Sequence, residues 1–290
     1  MVKNMMSIVE YYRDIEPDKI RFLKEILRQI GSEDYNDIFK NKLLVPGLDP
    51  YIIKDAVEFL RLSIINLLSY KHLIGGNYLA WSYVTSYYSL FYAINYFVRL
   101  KGFAVVNVKI FEGEKMNILT FKIERDWERK AYRFEKFGAK HALIWDRFSQ
   151  LFPELASRNL GKAITSERAA WNYDLLYPSQ TRDQHAIDEI RIKYENNFLD
   201  PNFGNYSSPE AAEYWHNILT QYGLEEVGPG DYIRIGLEYL VNIANGSLYK
   251  KWYESFLKDL LTDIDFFKAP EFTKEELRKL VQGAIDSIMQ

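Results

Sequence analysis

The stretch SYYSLFYAINYFVRLKG, residues 86–102, decides how this chain folds. It overlaps a run, residues 73–98, that contains no charged side chain. A run of that length either spans a bilayer or is enclosed by protein. Gly75, Gly76, Asn77, Ser82, Thr85, Ser86, Ser89 and Asn95 interrupt it, and its tyrosines are spread along its length. Membrane helices instead collect tyrosine at the two interfaces. Ala80, Val84, Tyr87, Phe91, Ile94 and Val98 fall on one helical stripe, and Trp81, Tyr88, Tyr92 and Asn95 on the next. This pattern predicts a helix over about 78–101 that is buried on most of its circumference, stops at Gly102 and does not enter a membrane.

Working outward, Ile53, Val57, Leu60, Ile64, Leu67 and Leu68 recur at three- and four-residue spacing, an amphipathic helix opened by Asp49-Pro50 and ended by Gly75-Gly76. Upstream, residues 8–30 read as one helix, with GSEDYND and VPGLDP as turns. Downstream, FAVVNVKIFEGEKMNILTFKIERD reads as a β-hairpin over about 104–123, turning at Glu112-Gly113-Glu114-Lys115. Helical periodicity resumes near Trp127 and runs through HALIWDRFSQLF to Pro153. ITSERAAWNYDLLYP, TRDQHAIDEIRIKYENNF and PEAAEYWHNILTQYG read as further helices. Residues 232–259 read as another, and a last one opens on a capping box from Thr273 to Glu276. The expectation is a mainly α fold carrying one small β-hairpin, with an N-terminal extension over 1–48, a central unit over 49–206 and a C-terminal helical subdomain over 207–290.

Composition narrows the chemistry. The 290 residues include no cysteine, which excludes disulfides, thiolate metal sites and cysteine nucleophiles and suits a reducing cytoplasm. A metal would need His and carboxylate ligands, and neither a metal nor a cofactor is expected. The formal charge of -3 argues against a chain that coats nucleic acid by bulk charge, though not against a local basic patch. Aromatic residues make up 16% of the chain, so the core is expected to hold many phenol and indole groups that need polar partners. Glu10 and Asp14 precede any sustained apolar segment, so no signal peptide is expected.

Three segments in order, SYYSLFYAINYFVRLKGF, KFGAKHALIWDRFSQLF and SERAAWNYD, resemble the HEPN-like superfamily of prokaryotic helical bundles over roughly residues 51–177. The positions that carry the resemblance are Tyr87, Tyr88, Phe91, Tyr92, Ala93, Lys101 and Gly102, then His141, then Arg168, Asn172 and Tyr173. The resemblance implies an up-and-down bundle, often a homodimer, among toxin and defence ribonucleases, nucleotidyltransferase partners and inert binding modules. Ribonucleolytic members carry an Arg, four to six intervening residues and a His. None of His72, His141, His185 and His216 has an Arg at that spacing before it, and Asn172 stands where an Asp is usual. The leading expectation is a binding protein of a toxin, defence or stress system, associated with RNA or a nucleotide. A metal-independent endoribonuclease and a structural oligomerisation module are the alternatives.

Candidate site residues follow. Arg168 offers planar donors for phosphate or carboxylate, with Asn172 one turn on and Tyr173 beside it. His141 is the proton-transfer candidate, on the helix before Arg168. Arg182 and His185 form a second pair. Each also fits a purely structural role, as a salt bridge or a packed side chain. Arg125, Arg129, Arg133, Lys136 and Lys140 recur at helical spacing as a basic stripe interleaved with aromatics, a candidate nucleic-acid contact diluted by Glu124, Asp126, Glu128 and Glu135.

Overall fold

The computed structural model of the protein describes residues 8–30, 32–76, 79–112, 115–136, 141–153, 155 and 229–290. After a helical turn at 8–12, the elements are α1 (Leu23–Gln29), α2 (Ser32–Asn41), β1 (Leu44–Pro46), α3 (Asp49–Gly75) and α4 (Leu79–Leu100). Next come β2 (Phe103–Glu112), β3 (Lys115–Asp126), β4 (Ala131–Lys136), α5 (His141–Leu151), α6 (Pro229–Gly246), α7 (Lys250–Phe266) and α8 (Glu271–Met289). Among the described residues the fold is mostly helical, with one four-stranded antiparallel sheet. Among the described residues no helix is long and apolar enough to cross a membrane.

The later part of the charge-free run, residues 89–98, is enclosed by protein. Over residues 89–100 of α4 every side chain is buried except the half-buried Tyr92. Ile53, Val57, Leu60 and Ile64 of α3 belong to the same core, as do Trp145 and Phe148 of α5 and Tyr232 and Tyr239 of α6. Phe97 is the centre of this packing, with ring centroids 5.9 Å from Phe148, 5.4 Å from Phe152 and 5.6 Å from Tyr239. Edge-on and tilted contacts of this kind add to the area that each ring removes from water.

Polar atoms inside the core are bonded across elements. Ser63 donates to the Ser89 carbonyl at 2.6 Å and Ser89 donates back to the Ser63 carbonyl at 2.7 Å, so two small side chains bond α3 to α4. Tyr96 donates to the Gly236 carbonyl at 3.0 Å, and Tyr12 to the Arg99 carbonyl at 3.2 Å. Gly236 lets α6 pack closely here: a β-carbon at that position would meet Leu60 at 3.0 Å and Tyr96 at 3.4 Å. The last three helices thus share one core with α3 and α4, and Arg61 of α3 makes a two-pronged ion pair with Asp263 of α7.

The sheet has the order β1-β4-β3-β2. Alternation places Ala104, Val106, Val108, Phe121, Ile123, Tyr132 and Phe134 in a second core with Leu23 and Leu27 of α1 and Tyr35 and Ile38 of α2. Tyr35 stacks on Phe121 at 4.6 Å and donates to the Leu27 carbonyl at 2.5 Å.

The structure corrects several sequence expectations. The hairpin is two strands of a larger sheet: its register runs from Phe103 opposite Glu124 to Glu112 opposite Lys115, and β4 and β1 add to it. Residues 131–136, expected to be helical, alternate in and out as β4. The expected single helix over 8–30 is interrupted between residues 12 and 23, and residues 32–37 of the GSEDYND segment lie in helix α2 instead of a turn. The long helix expected over 232–259 divides into α6 and α7 around residues 247–249. Helix α8 begins at Glu271, so Thr273 is inside its first turn, buried and not a cap.

Gly102 joins α4 to the sheet with φ +71, and its carbonyl accepts the Arg125 amide at 2.9 Å. A β-carbon there would lie 2.6 Å from that of Arg125. Gly102→Ala is therefore expected to cost about 1–3 kcal/mol, read as a lower urea midpoint with the slope preserved.

Burial raises the pKa of Tyr12, Tyr35, Tyr96, Tyr132, Tyr232 and Tyr253 above the ordinary phenol value. A raised pKa means that the folded state keeps protons that the unfolded chain releases. This contribution is complete below a pH of about 10 and is lost as pH climbs above it. Tyrosinate absorbance is expected to rise together with the loss of helical circular dichroism. Ionisation of all 22 tyrosines with the helix signal intact would contradict these burials.

Candidate functional site

Arg168, Asn172, Tyr173, Arg182, His185 and Lys140 lie outside the described residues. His141 opens α5. The four described residues of the basic stripe do not share a helix face, because they lie on two strands and a turn. Arg125 points to the covered side of β3 and is 6% exposed, whereas Arg129 is in the β3–β4 turn and Arg133 and Lys136 are exposed on β4. Their four-residue spacing coincides with a strand, a turn and a strand.

Arg125 contributes to a buried junction instead. The Asp49 carboxylate, in the first turn of α3, accepts hydrogen bonds from Tyr11, Arg125 and Tyr132, all on Oδ1. One carboxylate thereby ties the N-terminal segment, α3, β3 and β4 together. The Arg125 guanidinium sits among three rings, at 4.3 Å from Tyr11, 5.3 Å from Trp127 and 5.1 Å from Tyr132. Burial alone would lower its pKa; the hydrogen bond to Asp49 and the attraction of nearby groups outweigh this and raise it, so the cation is secure. Tyr11 is pushed up, mainly by burial and secondarily by its neighbours, so it stays a neutral donor.

A second buried cation lies one helix turn from Asn95. Arg99 is 2% exposed, donates to the Asn95 side chain at 2.7 Å, pairs with Asp55 at 3.7 Å and lies 4.0 Å from the Phe59 ring. Burial pushes its pKa down to about 10 against the opposing pull of Asp55. Asp55 is pushed up by burial, and it also accepts the Leu23 amide of α1 at 3.2 Å. These two networks join the two cores and account for the buried charges as structural ion pairs.

Beside the Asp49 junction an open cleft of ≈ 750 Å³ is lined by Tyr11, Trp127, Lys101, Glu10 and Gln150, with Leu151 among its apolar residues. Trp127 is 47% exposed, and its ring lies 4.8 Å from Tyr11 at 76°. The turn that presents it is tightened by Asp126, whose carboxylate accepts the Arg129 amide at 3.1 Å, and by Lys130 at φ +51. Arg129 and Lys130 are exposed on the same turn. The cleft therefore combines a fixed aromatic surface with cations nearby and with polar side chains on its wall. Among the described residues no group of three His, Asp or Glu side chains gathers as a metal site.

Sequence reasoning placed Trp127 and Tyr132 among the aromatics interleaved with the basic residues but missed Asp49, Tyr11 and the junction that joins them to Tyr132. Asp49 carried a helix-start signal only, and its partners are 38, 76 and 83 residues away, so no local pattern marks them. Neither family models nor curated proteins nor solved structures give a match to the chain.

Removing the shared acceptor leaves a buried cation and two phenols without it. Asp49→Ala is expected to cost about 3–5 kcal/mol, measured by urea unfolding. Arg125→Met is expected to cost less, because the tyrosines keep their acceptor. Equal, small losses for both variants would show that the junction contributes little.

Proposed function

We propose that the chain is a HEPN-like binding protein that associates with nucleic acid or nucleotide, built as a helical bundle around α3 and α4 with a sheet inserted between α4 and α5. The segments that carry the resemblance support this reading, and it implies a toxin, defence or stress setting, a homodimer and partnership with a nucleotidyltransferase. The single observation that carries the binding role is the exposed Trp127 on a constrained turn that also exposes Arg129 and Lys130. Exposed aromatic and cationic side chains side by side suit a ligand with both planar rings and phosphate charge. Arg133 extends the cationic surface along β4, and its cross-strand neighbour Glu124 is engaged by Arg147 and Lys122. Asp126 is committed to the turn, which leaves Glu128 as the opposing charge on it.

Fluorescence anisotropy with a labelled RNA oligonucleotide tests the reading. Binding is expected to weaken with salt, and Arg129→Glu with Arg133→Glu is expected to lower affinity and flatten the dependence on log salt by roughly 0.7 per lost phosphate contact, the value for a single strand. Affinity and slope equal to those of the parent chain would count against it.

A further inference from the structure

The Trp127 turn joins two strands of the inserted sheet, and its cleft lies beside it. We propose that this cleft takes an unpaired base of a single-stranded nucleic acid, stacked on the Trp127 indole. The inference rests on the proposed association with nucleic acid and specifies which form of it is recognised.

The indole is held before any ligand arrives. The Tyr11 ring packs against it in a T-shaped pair and the Arg125 guanidinium lies 5.3 Å from its centroid, and both are anchored by the Asp49 carboxylate. An aromatic surface fixed in this way loses little side-chain freedom on binding, so more of the stacking free energy appears as affinity. With nearly half of the residue still exposed, a planar group has room to lie against it. The cleft volume of ≈ 750 Å³ falls within the ordinary range for small-ligand sites.

The polar groups match the same ligand. Lys101 on the cleft wall and Arg129 and Lys130 on the turn offer positive charge for the backbone on either side of a stacked base. Glu10 and Gln150 offer an acceptor and an amide for the edge of the base. A duplex cannot engage such a site without unstacking, because the faces of its bases are covered by their neighbours. The Glu10 carboxylate also disfavours filling the cleft with phosphate alone, which points to the base as the group that enters.

The test compares three labelled probes of equal length on the full chain: a single-stranded oligonucleotide, its duplex, and an abasic deoxyribose-phosphate strand. The single strand is expected to bind most tightly. Trp127→Ala is expected to weaken its binding by about 5- to 150-fold, the range for loss of one base stack, while Trp127→Phe retains most of it. The abasic strand is expected to bind Trp127→Ala and the parent chain alike. If Arg129→Glu with Arg133→Glu weakens binding but Trp127→Ala does not, the association with nucleic acid stands and this inference falls. Equal loss for the abasic strand in Trp127→Ala, or a preference for duplex, also overturns it. If no probe binds, both readings fall together.

Discussion

Enclosing α4 is the constraint on which the rest of this structure depends. A helix that is apolar on nearly every side cannot rest on a core; it has to be surrounded. Helices α3, α5 and α6 provide that surround, and the aromatic side chains are the means, since each ring covers area that several aliphatic residues would otherwise have to cover. The cost of using tyrosine is a hydroxyl in the interior. Tyr12 and Tyr96 meet it by donating to backbone carbonyls of other segments, which turns a burial problem into cross-links between elements.

The two charged networks extend the same logic to the boundary between the cores. Arg99 sits on α4, yet its partner Asp55 also takes the first amide of α1, which covers the sheet. Asp49 holds α3 to β3 and β4 through donors from three parts of the chain. A buried cation without such partners would be expelled or neutralised. The geometry of the Trp127 cleft is a by-product: the groups that satisfy Asp49 are the ones that fix the indole.

The long elements were legible in the sequence and the short or composite ones were not. The start of α3 at Asp49, the end of α4 at Gly102 and the end of α5 before Pro153 follow local signals, and the structure has them where those signals stand. Strand β1 is three residues long, too short for any alternation to register. The Arg125, Arg129, Arg133 spacing imitates a helix face because four residues also separate the end of β3, the turn and the middle of β4. Tyr132 and Phe134, inward on β4 with Arg133 and Glu135 outward, carried the correct period-two signal, which the charge spacing obscured. At the candidate site, exposed Trp127 was visible as an aromatic among basic residues. The Asp49 junction was not, because it exists only once distant segments have met.

The hydrogen bond from Tyr96 to Gly236 spans 140 residues of chain, and the ion pair from Arg61 to Asp263 spans 202. Synthesis runs from the N-terminus, so α4 leaves the ribosome long before the helix that closes over it exists. For that interval a wide apolar surface faces water and other nascent chains. The ordering of this sequence thus leaves the core around α4 open on one side until the C-terminal helices have been made.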